Sequence, residues 1–293
     1  MSHMGLNLTE SAKLSTDMLQ KGVILTMAKQ SPVLEKLPFM EIVGNGYAYN
    51  LVDALPTVGF RAVNTGYTEA GATVSREVEH LVILGGDVDV DTFIAKTRGN
   101  VNDIRAIQTE LKAKATAKEF EKKFFTGTGT GNEFKGLDQR QEDGKGTKIT
   151  LESDLTLDGM NELLDAVVDG ADVLYMNKKT RREVMKLLQA SNHYIENGTD
   201  AFGRVVNMYG GIEIRAVEDG LVADNKIYAV KFGQEQYVCG LTNGGVQVKD
   251  LGELETKPCY RTRIEFFCGL AVFHPNSFAI LEYTPSMLKS KKK

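Results

Sequence analysis

The sequence predicts an α+β fold, and three observations carry that prediction. One long amphipathic pattern runs from Asn100 to about Phe125 and breaks in the glycine-rich run TGTGTGNEFKGL. At 1.5 Å per residue it spans roughly 35–40 Å, longer than a typical small domain is wide. Before it, Glu41–Asp91 is rich in Val, Tyr, Thr and Gly with turn-prone VGNG, NTGYTEAG and ILGGD breaks, the composition of extended hairpins. After it, a strand–helix–strand unit gives way to a run of strands from Asn207 onward, which belongs to a mixed α+β domain and not to repeated βαβ units.

In chain order, Leu8–Met27 carries Leu14, Met18 and Leu25 among polar residues and reads as an amphipathic helix that Ser31-Pro32 ends. Two readings of it stand: a helix packed on its own domain, or an arm that lies on another chain. The middle of the next region, Thr57–Val78, has little apolar alternation, and a long hairpin without an apolar face is not stable alone. It is either a mobile surface loop or an arm ordered by a neighbour. Asp87, Asp89 and Asp91 alternate with Val88 and Val90, which places three carboxylates on one strand face. They stand too far apart along the pleat for a tight cation site, so a solvated face is expected.

The long helix carries Val101, Ile104, Leu111 and Ala115 at three- and four-residue steps, continued by Ala117, Phe120 and Phe124. Glu110 with Lys114, and Glu119 with Lys123, set acid before base one turn apart, the favourable order. Gly127, Gly129 and Gly131 form the stop, with Gly127 expected in the left-handed position after the last turn. A phosphate loop is not expected, because its glycines must precede a helix and face the positive dipole end. Gln139–Thr147 reads as a loop, Leu155–Val168 as a helix stopped by Gly170, Asp172–Met176 as a buried strand and Lys178–Leu188 as a helix. Its basic flank of Lys178, Lys179, Arg181 and Arg182 lacks interleaved aromatics and reads as a wet face. Arg261–Phe273 is long enough for a central strand, and the lysine-rich end after Lys289 reads as an unfolded tail.

Composition sets bounds on function. The 293 residues, 42% hydrophobic and 25% charged, suffice for one large or two modest domains. A net charge of −4 argues against a dedicated nucleic-acid binder, whose affinity rests on phosphate neutralisation. Cys239, Cys259 and Cys268 are odd in number and lack a CxxC spacing, so they read as buried thiols and not as a disulfide framework or zinc site. No apolar run approaches the ~20 residues of a membrane span. His80, His193 and His274 have no HExxH spacing, and GxSxG is absent. No catalytic residue, metal ligand or cofactor is assigned.

Four stretches, in order, carry a resemblance. EFEKKFFTGTGTGNEFKGL (Glu119–Leu137), ADVLYMNKKTRREVMKLL (Ala171–Leu188), NMYGGIEIRAV (Asn207–Val217) and RTRIEFFCGLAVFHPNSFAILEY (Arg261–Tyr283) resemble successive segments of Hong Kong 97-type phage major capsid proteins. Ile212 stands where that family usually has proline. The resemblance implies an N-terminal arm over 1–40, an extended loop and peripheral domain with a spine helix over 41–149, an axial domain over 150–255, and return strands with a basic tail over 256–293. It implies inter-subunit roles for Arg61, Tyr67 and Glu69 on the loop and for Leu14 and Met18 on the arm, with Gly127, Gly129 and Gly131 forming the turn.

The implied function is mechanical: copies join as pentamers and hexamers of an icosahedral virion shell, assembled in the bacterial host cytoplasm. The implied partners are a separate scaffolding protein, a portal, a decoration protein, and packaged DNA contacted weakly and without specificity. Some members cross-link their shells through a lysine on the loop, but Leu37–Ala95 contains no lysine, so that chemistry is not expected here. An encapsulin-like compartment enclosing cargo enzymes shares the implied fold and is the nearest alternative. A soluble nucleotide-binding enzyme is the alternative of another class.

Overall fold

A computed structural model of the chain describes residues 7–9, 18–54, 56–98, 104–191 and 196–285. Among them, two sheets flank one long helix, and a separate two-stranded hairpin projects. The four-stranded sheet has the order β1-β11-β12-β4, from β1 (Phe39–Glu41), β11 (Val238–Glu253), β12 (Cys259–Val272) and β4 (Val82–Asp91). β11 and β12 pair antiparallel from Val238↔Val272 to Glu253↔Tyr260, with a register shift between Thr242 and Val246. Gly244 and Gly245 occupy that shift at φ 73° and 63°, left-handed values that glycine adopts without strain. The long Arg261–Phe273 pattern is thus the central strand β12.

Across this sheet lies the spine helix (Ile104–Thr126). Its buried stripe is Thr109, Ala113, Thr116, Ala117, Phe120, Glu121, Phe124 and Phe125. The Phe120 ring lies tilted 5.7 Å from Phe266 of β12 and 6.0 Å from Phe39 of β1; burying one such ring is worth about 2–3 kcal/mol. The first half of the expected stripe is corrected: Leu111 is 52% exposed and Ala115 is exposed. The small residues Ala113 and Thr116 face inward instead, beside the expected Ala117, where α1 (Met18–Gln30) packs on the spine through Val23, Ile24, Met27 and Ala28. Close helix approach favours small side chains there, and apolar periodicity alone selects the bulky ones. Asn100 and Val101 lie outside the described residues. Ion pairing on the wet side holds for Lys114 with Glu110, at 2.7 Å, whereas Lys123 pairs with Glu133 beyond the helix end.

Ser31 ends α1 and caps α2 (Pro32–Lys36), its hydroxyl accepting from Leu34 N at 3.3 Å, with Pro32 opening the first turn. The seven-stranded sheet has the order β5-β13-β10-β6-β9-β8-β7, from β5 (Thr147–Leu151), β6 (Val173–Asn177), β7 (Glu196–Thr199), β8 (Val205–Tyr209), β9 (Ile212–Val217), β10 (Lys226–Val230) and β13 (Phe278–Tyr283). All five residues of β6 are buried, because both of its faces are covered. Leu174 and Met176 join a core with Met160, Leu163, Val184 and Leu188, from the helices Leu157–Asp165 and Lys178–Ala190, capped by Thr156 and Asn177. Val173 and Tyr175 face the other way, where Phe125 of the spine lies 5.7 Å from Tyr175 and 4.8 Å from Tyr228.

Three further expectations change. Leu137–Glu142, within the segment read from Gln139 as loop, is a short helix that buries Leu137 and Arg140 on one turn. Cys259 is only half-buried, because it opens β12 at the sheet's far end, whereas burial pushes the Cys239 thiol up to about 12. The aspartate face of β4 is not simply solvated: Arg263 grips Asp87 at 2.7 and 2.9 Å, Arg261 grips Asp89 at 2.6 and 2.6 Å, and Asp91 accepts from Phe93 N at 2.7 Å. β12 supplies those arginines directly across the strand pair.

Candidate functional site

β2 (Gly46–Ala54) and β3 (Thr73–His80) pair antiparallel from Gly46↔His80 to Ala54↔Thr73. Beyond them, residues 56–72 form neither strand nor helix and are exposed throughout. This tip carries the apolar side chains Val58, Phe60, Val63 and Tyr67, with Val58 91% exposed. Arg61 Nη1 donates to Thr65 O at 3.2 Å, and its guanidinium lies 5.3 Å from the Tyr67 ring centre, within cation–π range. Two of the expected loop residues, Arg61 and Tyr67, are therefore in contact, while Glu69 is exposed further along the same segment.

What makes the hairpin project is its root. Tyr49 and Leu51 of β2 are buried with Ile42, Leu241 and Ala271, and the Tyr49 ring lies tilted 4.7 Å from Phe273. The Tyr49 hydroxyl donates to Val272 O at 3.1 Å, and burial followed by the nearby Glu79 carboxylate holds its pKa well above the usual tyrosine value. Glu79 of β3 accepts from Arg140 Nη1 at 2.6 Å, while Arg140 Nη2 donates to Leu270 O at 2.6 Å and Nε to Lys135 O at 3.2 Å. Arg140 is 1% exposed, so one buried guanidinium joins the hairpin, the central strand β12 and the glycine turn. No sequence signal marks it, because Glu79 and Arg140 stand 61 residues apart.

The glycine turn is built beside that root. Gly127 does not take a left-handed φ; it is glycine because a Cβ there would meet Phe134 O at 2.3 Å and Lys123 O at 2.6 Å. The left-handed positions are Gly129 and Gly131, at φ 70° and 68°. Glu133 closes the turn: Lys123 pairs with its carboxylate and Thr128 N donates to it at 3.0 Å. These hydrogen bonds, Lys123's foremost, hold the Glu133 carboxyl down to about 2. Between this turn and the start of β4 runs a groove of 340 Å³ lined by Val82, Ile83, Leu84, Phe120 and Phe134.

On the N-terminal segment Met18 is 84% exposed, and Leu14 lies outside the described residues. The basic flank of the Lys178–Ala190 helix is partly answered, by Asp224 on Lys179 at 2.9 Å and Asp219 on Lys178 at 4.0 Å. Among the described residues no group of three or more His, Cys, Asp or Glu side chains is placed to hold a metal ion. No helix among them is long and apolar enough to cross a membrane.

A long helix lies between two sheets, with a glycine turn at its end and a projecting hairpin rooted by a buried arginine. Compared with known families, residues 90–283, well over half of the chain, match the one described as "Phage capsid family". The chain belongs to the phage capsid family. As a member it is a major capsid protein, and its work is structural.

No curated protein matches the chain. Among solved structures, the SrpI encapsulin of Synechococcus elongatus PCC 7942 is 17% identical with a TM-score of 0.66, covering 85% of this capsid chain and 86% of the encapsulin. The Microbacterium phage Oxtober96 structure is also 17% identical with a TM-score of 0.66, over 87% of this chain and 91% of its own. A virus-like particle from Pyrococcus furiosus is 14% identical with a TM-score of 0.59, over 90% and 97%. At these identities the likeness is one of fold.

Proposed function

We propose that the chain is a major capsid protein of the Hong Kong 97 type from a tailed phage or prophage, and that many copies close into an icosahedral shell around the phage genome. The observation that carries this reading is the hairpin of residues 46–80. Its root is fixed by buried groups, yet its tip exposes Val58, Phe60, Val63 and Tyr67, more apolar surface than a segment without its own core retains in a solitary chain. Covering it with a neighbouring copy removes that surface from water, and a closed ring of such contacts leaves no tip uncovered. Arg61, Tyr67 and Glu69 act at this contact; Leu14 and Met18 act on the N-terminal arm.

Pentamers and hexamers are the assembly units, put together in the bacterial host cytoplasm. A scaffolding protein, a portal and a decoration protein are the expected partners, and packaged DNA is held weakly, in keeping with a net charge of −4. A second reading, a compartment that encloses cargo enzymes, is favoured by the equal likeness in fold to an encapsulin.

Deleting Val63–Ala72 and imaging the purified protein by negative-stain microscopy tests the loop. Soluble protein that makes no closed particles is expected, and normal shells from the deleted chain would sink the assignment. The contents of wild-type particles, nucleic acid or enzyme, separate the two readings.

A further inference from the structure

Glu121 lies on the buried stripe of the spine helix, between Ala117 and Phe124. It is 2% exposed, and its Oε1 has no hydrogen-bond partner among the described residues. Other buried carboxylates are answered by arginine: Glu79 by Arg140, and Glu35 and Asp200 by Arg215. Among the described residues no arginine or lysine forms an ion pair with Glu121. Ser31, at the junction of α1 and α2, is the polar side chain that acts on the Glu121 carboxyl, and its oxygen caps α2. Lys118 on the spine and Glu218 beyond β9 are the charged groups that act on it, and they pair with each other at 3.2 Å, so their effects largely cancel. From β6 the titratable neighbour is Tyr175, whose hydroxyl donates to Pro32 O at 3.3 Å. Burial, the largest influence, pushes the Glu121 carboxyl up to about 7.

We propose that Glu121 is a proton-dependent latch: with its proton it lets α1 lie on the spine helix, and without it α1 lifts. An ionised carboxylate with one oxygen unanswered is costly inside a core, and lifting a neighbouring element admits water to it. The element that gives way is α1. α2 is fastened to β9 by Glu35 with Arg215 and by Lys36 with Glu213 at 2.8 Å, and the spine is held from both sides. The folded value is raised, so the sign is fixed. The latch is complete below the ordinary glutamate value of about 4.5 and is lost as pH rises through about 7, with opening increasing about tenfold per pH unit between them.

Hydrogen exchange of the full chain from pH 5 to 9, corrected for intrinsic rates, with Ala113–Phe120 amides as internal reference, tests this. Protection of Met18–Gln30 amides in the wild type is expected to fall about tenfold per pH unit and level off near pH 7. In Glu121→Gln the protection stays flat. Glu218→Gln, an exposed change that removes a like charge, moves the levelling point to lower pH. Equal slopes in the wild type and Glu121→Gln overturn the proposal. Should Glu121→Gln not fold, a levelling point that Glu218→Gln leaves in place overturns it equally.

Discussion

Arg140 Nη1 stands 2.6 Å from Glu79 Oε1, with both side chains almost wholly out of water. Together with the buried Tyr49 and Leu51, that contact fixes the base of a hairpin whose tip, residues 56–72, is exposed throughout. Rigidity at the root and exposure at the tip are the two properties a reaching loop needs.

Removing one partner of such a pair leaves an uncompensated buried charge. Arg140→Met is expected to cost about 3–5 kcal/mol in chemical denaturation. The double change Arg140→Met with Glu79→Met leaves no stranded charge and should recover about 2 kcal/mol of that loss. A double mutant as unstable as the single would show that the arginine's bonds to Leu270 and Lys135, not its pairing with Glu79, carry the stability.

The glycine turn separates two reasons for glycine. Gly127→Ala places a Cβ against two carbonyl oxygens, and the backbone must shift, at about 1–3 kcal/mol. Gly131→Ala meets open space and costs only the left-handed conformation, about 1–2 kcal/mol. Thermal unfolding of the two variants, with Gly131→Asn as an αL-tolerant control that regains stability over Gly131→Ala, checks the assignment.

At the tip, Phe60→Ser changes no contact within the chain's core. Stability of the unassembled protein should stay within about 0.5 kcal/mol of wild type, while the yield of closed particles in microscopy drops sharply. Unchanged assembly would remove Phe60 from the contact surface.

Acid has a defined effect on the glycine turn. Lys123 and Thr128 hold Glu133 down to about 2, against an ordinary value of 4.5, and Lys135, followed by Gln139, lowers Asp143. Depressed carboxylates give stability that is fully present above their unfolded values and is lost as pH falls through the folded ones. The loss therefore lies between about pH 4.5 and 2, and it is modest because both carboxylates keep contact with solvent, their side chains 22% and 38% exposed. Glu133→Gln should flatten the acid limb of stability against pH; an unchanged limb would exclude Glu133 as its source.

Much of the framework was legible in the chain itself. The spine helix, the buried strand of Val173–Asn177, the helix that Asn177 opens and the long strand ending at Val272 follow from periodicity, caps and turn residues, which act between neighbours in sequence. The order of the capsid-like segments was legible for the same reason. Tertiary packing decided the rest. It turned Ala113 and Thr116 inward and left Leu111 in water, because another helix had to approach closely. It made Gly127 obligatory through the oxygen of Phe134 and not through its own φ. It also brought Arg140 to Glu79, and left Glu121 buried beside Ser31. Sequence determines what each segment prefers by itself; contacts between segments that are distant along the chain depend on how the sheets and helices close around them, and the candidate site is made of those contacts.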